Sequence, residues 1–87
     1  MVARDPIAEL RDLNPEALTA DGFDDAIIGY SVSTIRPHIV IYDVDKCIEI
    51  LMDRDGMTRE DAEEYLSFNT LCAWVGENTP MYVKVTT

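Results

Sequence analysis

The chain has 87 residues, enough for one domain with one core and too few for a second domain or a deep enclosed substrate cavity. It is 47% hydrophobic and 28% charged, as folded proteins are, and no apolar run approaches the roughly 20 residues of a membrane span. With 17 acids against 7 bases the net charge is −10, which repels phosphate backbones and argues against electrostatic nucleic-acid binding.

Pro6 suits a first helical turn, and Ile7, Leu10 and Arg11 begin an i, i+3, i+4 face, so IAELRDL predicts a short helix ended by Asn14-Pro15. NPEAL predicts a further single turn, and Ala20-Asp21-Gly22 a tight one. Residues 26–34 alternate as a strand, with Ile28, Tyr30 and Val32 on one face and Ile27, Gly29 and Ser31 on the other. Arg36-Pro37 breaks the run. A second strand follows over 38–42 (HIVIY), apolar on both faces and therefore expected in the centre of a sheet, in a hairpin with the first.

Asp43 stands at the N-cap position of a helix over Val44–Arg54, whose apolar stripe is Val44, Cys47, Ile48, Leu51 and Met52. Gly56 supplies the stop. Thr58 starts the next helix with Asp61 three residues on, and acids in its first turns match the helix dipole. Ala62, Tyr65, Leu66, Asn69 and Cys72 or Ala73 mark its inward face, to about Trp74 and a stop at Gly76. After a turn over 76–80, Met81–Thr86 is a last strand. The expected fold is α+β, in the order α, β, β, α, α, β: a small three-stranded, mainly antiparallel sheet with a helical hairpin packed on one face.

The first helix or a second copy of the chain would cover the other face, and a homodimer is expected on that ground. MVARDPIAEL lacks the apolar stretch and cleavage site of a signal peptide, and the predicted location is the cytoplasm. Cys47, Cys72 and His38, spread along the chain, match neither a disulfide framework nor zinc-ligand spacing, so neither a metal nor another cofactor is expected.

HIVIYDVDKC imitates the strand and Asp-x-Asp of haloacid-dehalogenase-type phosphatases, with Asp43 as nucleophile and Asp45 as acid. That chemistry needs Mg²⁺ and further acids on neighbouring parallel strands. The segment after Asp43 is instead an amphipathic helix, so Asp43 reads as its cap. MDRDGM fails as a calcium loop, because Gly56 at loop position 6 puts Leu51 and Ala62 where ligands must stand. The two helices around Gly56 fail as a DNA reader, because the second begins Arg59-Glu60-Asp61 and continues Glu63-Glu64. Both cysteines fall on apolar helix faces and behave as small hydrophobes. No third group orients His38 for catalysis, and no catalytic residue is assigned.

Two acidic groups remain: Asp21, Asp24 and Asp25 before the first strand, and Glu60, Asp61, Glu63 and Glu64 on the third helix. They are the candidate partner-binding residues, for a protein with a basic surface. Carboxylates so spaced also imitate nucleic acid, as inhibitors of host defence or polymerase enzymes do. A third reading is a small enzyme or ligand-binding protein with a site at a dimer interface around His38, Tyr42 and Asp43.

The stretches DGFDDAIIGY, YDVDKCIEILMDRDGMTREDAEEYLSFN and AWVGENTP resemble a family of small proteins encoded by bacteriophages and prophages, over about residues 21–81. Cys72 departs from the pattern, which favours a small residue such as glycine there. The resemblance implies a phage-encoded accessory protein acting in the infected cell, and it assigns no catalytic or binding residue.

Overall fold

Val40-Ile41-Tyr42-Asp43 is short, β-branched and apolar, and in the computed structural model it forms the central strand of a three-stranded sheet. The structure describes residues 7–71 and 75–86. Strand β1 (Ile27–Tyr30) pairs antiparallel with β2 (Val40–Asp43), and β3 (Met81–Val83) pairs parallel with β2 on its other side. The element order is the one expected, but the sheet is mixed, with one antiparallel and one parallel pair. The parallel pair follows from the connection: two helices and a loop carry the chain from the end of β2 back to the start of the same sheet.

The register is irregular between Ile27 and Gly29, where Ile27 faces Tyr42 and Gly29 faces Ile41. One extra residue, Ile28, is accommodated as a bulge. The bulge changes the expected faces of β1. Ile27 and Tyr30 both pack toward the core, while Ile28 is turned outward and left 47% exposed.

Helix α1 (Ala8–Leu13) places Ile7 and Leu10 in the same buried cluster as Val40 and Tyr42 of the sheet. Pro6 lies outside the described residues. At the end of α1, Asn14 Nδ2 donates to the His38 carbonyl at 2.7 Å and to Asn78 Oδ1 at 2.8 Å. One side chain thereby ties α1 to the loop before β2 and to the turn before β3.

Helix α2 (Val44–Asp55) begins where Asp43 Oδ1 accepts from the amides of Asp45 (2.9 Å) and Lys46 (3.4 Å). It ends where Gly56 takes a left-handed conformation, φ 66°. Its buried residues are Cys47, Ile48 and Leu51, with Val44 and Met52 packed at their edge. Helix α3 (Arg59–Leu66) starts with the Asp61 amide donating to Thr58 Oγ1 at 3.2 Å.

α3 is shorter than its pattern predicts. It gives way at Ser67 to a wider π turn that runs to Leu71. Ala62 and Leu66 are buried as expected, whereas Tyr65 is 42% exposed and Asn69 is exposed. Cys72, Ala73 and Trp74 lie outside the described residues. No helix among the described residues is long and apolar enough to cross a membrane.

Candidate functional site

Residues 14–23 have no helical or strand period, and their course is set by single bonds to the rest of the fold. Leu18 N donates to the Asn78 carbonyl at 3.2 Å, and Ala20 N donates to the Tyr42 hydroxyl at 2.7 Å. Tyr42 is fully buried and stacks on Tyr82 of β3, ring centres 5.3 Å apart and 17° from parallel. Burial holds both phenols above their ordinary pKa, Tyr82 at about 12, so both are neutral donors and acceptors.

These ties leave a depression of about 380 Å³ between the 18–23 segment, the end of α3 and the chain entering β3. Its apolar wall is Leu18, Phe23, Tyr65, Val75, Pro80 and Tyr82, with Asp21, Arg54 and Asn69 among its polar groups. The volume and the mixture suit an anchoring side chain of a partner or a small ligand.

Arg54 does not stand in the depression as a free cation. Its Nε and Nη2 donate to the Asp55 carboxylate at 3.3 and 3.1 Å, and Nη1 donates to the Gly22 carbonyl at 3.3 Å. The guanidinium lies over the Phe23 ring, 5.6 Å from its centre. Gly22 is required beneath it. Its φ is 86°, and a Cβ there would collide with Arg54 Nη1.

Of the sequence-predicted acids, Asp21 lines this depression, with Asp24 and Asp25 following in an exposed 3-10 turn (Asp24–Ala26). Tyr65 lines it from α3, whereas Glu60, Asp61, Glu63 and Glu64 of the same helix are exposed and are not among its lining residues. Glu63 pairs with Arg59 at 3.1 Å. Among the described residues, the carboxylates of Asp21, Asp24, Asp25, Glu60, Asp61 and Glu64 have no ion-pair partner.

The other tempting residues are tied up in the fold. Asp43 is the α2 cap described above, and Asp45 accepts from Lys84 Nζ at 3.1 Å and Arg59 Nη2 at 3.3 Å. None of His38, Tyr42 and Asp43 lines the depression. His38 meets Tyr30 edge-on, ring centres 6.1 Å apart. Burial pushes the Cys47 thiol up to about 11, which keeps it protonated and unreactive near neutral pH. Among the described residues no three His, Cys, Asp or Glu side chains converge as a metal-binding group.

Sequence reasoning named Asp21 but missed Leu18, Phe23 and Arg54, because the loop that brings them together has no period to read. The only local signal was an aromatic residue, Phe23, set among three aspartates and a glycine. The chain matches no family model, and no curated protein or solved structure is significantly similar to it.

Proposed function

We propose that this is a small phage-encoded accessory protein that acts in the cytoplasm of the infected bacterial cell by binding another protein, without bond-making chemistry of its own. The observation that supports the reading is the apolar depression lined by Asp21, with Asp24 and Asp25 exposed close by in the chain and none of the three in an ion pair among the described residues. A partner with a basic surface would be drawn in by the net charge of −10 and anchored by an apolar side chain against Phe23, Tyr65 and Tyr82. Charge gives the encounter its speed and register; the depression gives it lifetime.

The test starts from the tagged protein, captured from host lysate with its partner identified by mass spectrometry. Affinity for the purified partner is then measured for Tyr65→Ala and for the triple change Asp21→Asn, Asp24→Asn, Asp25→Asn. Both variants should bind at least about tenfold more weakly, and binding should weaken as salt is added. Loss with the triple change alone would favour imitation of nucleic acid by the carboxylates. Binding untouched by either variant would overturn the proposal.

A further inference from the structure

The polar groups lining the depression are not all free to meet a ligand. Arg54 directs three donors to Asp55 and Gly22 and lies over the Phe23 ring. Thr79 Oγ1 is engaged in both directions, accepting from Val75 N at 2.9 Å and donating to the Gly76 carbonyl at 2.6 Å. Asn69 Nδ2 donates to the Tyr65 carbonyl at 3.1 Å, which leaves its Oδ1 as an acceptor. Asp21 has no ion pair among the described residues. Arg54 and Asp55 offset each other as a pair at 3.1 Å, so the charge left at the depression is the negative one on Asp21.

We infer that the partner segment seated here presents an arginine beside its apolar anchor, with the guanidinium on the Asp21 carboxylate and against the Tyr65 ring. Such an arginine presupposes the partner-binding reading and adds to it the side chain that meets the polar end of the same depression.

Charge excludes the other classes of neighbour. An acidic side chain would be repelled by Asp21. A second apolar one would take water from that carboxylate and return no hydrogen bond. A cation with donors to give satisfies both Asp21 and the Asn69 oxygen.

Shape then favours guanidinium over ammonium. Tyr65 is 42% exposed and has no ring partner among the described residues. A planar, weakly hydrated guanidinium stacks on an aromatic face and donates to a carboxylate through its fork, whereas an ammonium is compact and holds its water. The fold already seats one guanidinium in this manner, with Arg54 over Phe23 and forked on Asp55. Space allows two neighbouring side chains: about 380 Å³ equals about a dozen water volumes, more than one aliphatic side chain fills.

The test uses capped dipeptide amides titrated into the whole chain and followed by amide NMR shifts. Acetyl-leucyl-arginine amide should move the resonances of Asp21, Phe23, Tyr65 and Tyr82. It should bind roughly three- to tenfold more tightly than the citrulline dipeptide, which keeps the shape and lacks the charge. The leucyl-leucine and leucyl-glutamate dipeptides should bind more weakly than the arginine one.

The net charge of −10 attracts any cation, so two variants separate the site from the general field. Asp21→Asn should abolish the preference for arginine over citrulline. Glu49→Gln, an equal loss of charge at an exposed position of α2 that does not line the depression, should leave it intact. Circular dichroism checks that both variants keep the fold.

Equal binding of the arginine and citrulline dipeptides would overturn the inference and leave apolar anchoring in the depression standing. A preference that survives Asp21→Asn, or that Glu49→Gln removes as fully, would overturn it as well, by tracing the effect to diffuse charge. Shifts absent from the depression with every dipeptide would remove both the arginine and the anchor.

Discussion

Replacing Asp43 separates its role as a helix cap from a role in chemistry. The Oδ1 atom accepts from Asp45 N at 2.9 Å and from Lys46 N at 3.4 Å, at a half-buried position where the end of β2 becomes α2. Removing a cap of this kind loses about 1 kcal/mol, and removing a negative charge from a helix N-terminus a further ~0.5 kcal/mol. Asp43→Ala should therefore be destabilised by about 1.5 kcal/mol. Asp43→Asn keeps the acceptor, loses only the charge and should lose about 0.5 kcal/mol. With a urea m-value of about 1 kcal/mol/M for a small domain, the midpoints should fall by about 1.5 M and about 0.5 M. Urea unfolding followed by circular dichroism in the far ultraviolet, with the m-values compared, reads both. Equal loss for Asn and Ala would refute the capping argument. So would a Mg²⁺-dependent rise in stability that Asp43→Asn abolishes, since a bound ion stabilises the state that holds it.

Leu51→Ala, at a fully buried position in the core between α2, α3 and the sheet, should lose about 2–5 kcal/mol, close to unfolding for a chain whose total stability is roughly 4–13 kcal/mol; differential scanning calorimetry checks it. Stability should fall as pH rises from about 9 to about 11. The Cys47 thiol is raised from 9.0 to about 11 in the fold, so the unfolded chain releases its proton first; the contribution is whole below pH 9 and lost as pH passes 11. Urea midpoints across that interval should show the slope, and Cys47→Ala should reduce it most between pH 9 and 10, below the range where the raised phenols of Tyr42 and Tyr82 add a slope of the same sign. Gly22→Ala should lower the melting temperature by several degrees, through a strained φ and displacement of Arg54 from Phe23; an unchanged melting curve would contradict both.

The helices were legible because their signals are local. Asp43, Gly56 and Thr58 each act on amides or dihedrals within a few residues of themselves, and the stripe through Cys47, Ile48 and Leu51 repeats with the helical period. The centrality of β2 was legible for a related reason, since a strand apolar on both faces has no side to offer to water. Asp21 could be named as a candidate from the sequence, but the hollow it lines could not. It arises where Leu18, Phe23, Tyr65 and Tyr82 meet, residues separated by long stretches of chain and joined through Asn14, Ala20 and Tyr42.

Sequence by itself determined the order of elements, the caps, the apolar stripe of α2 and the acidic character of the surface, because each depends on neighbours along the chain. Tertiary structure alone decided the parallel pairing of β3, the bulge that brings Ile27 to the same side as Tyr30, the early end of regular helix at Leu66 and the position of Arg54 over Phe23. Strand direction and register are chosen by which apolar faces can be buried together. That choice is made between segments far apart in the chain, and no local period records it.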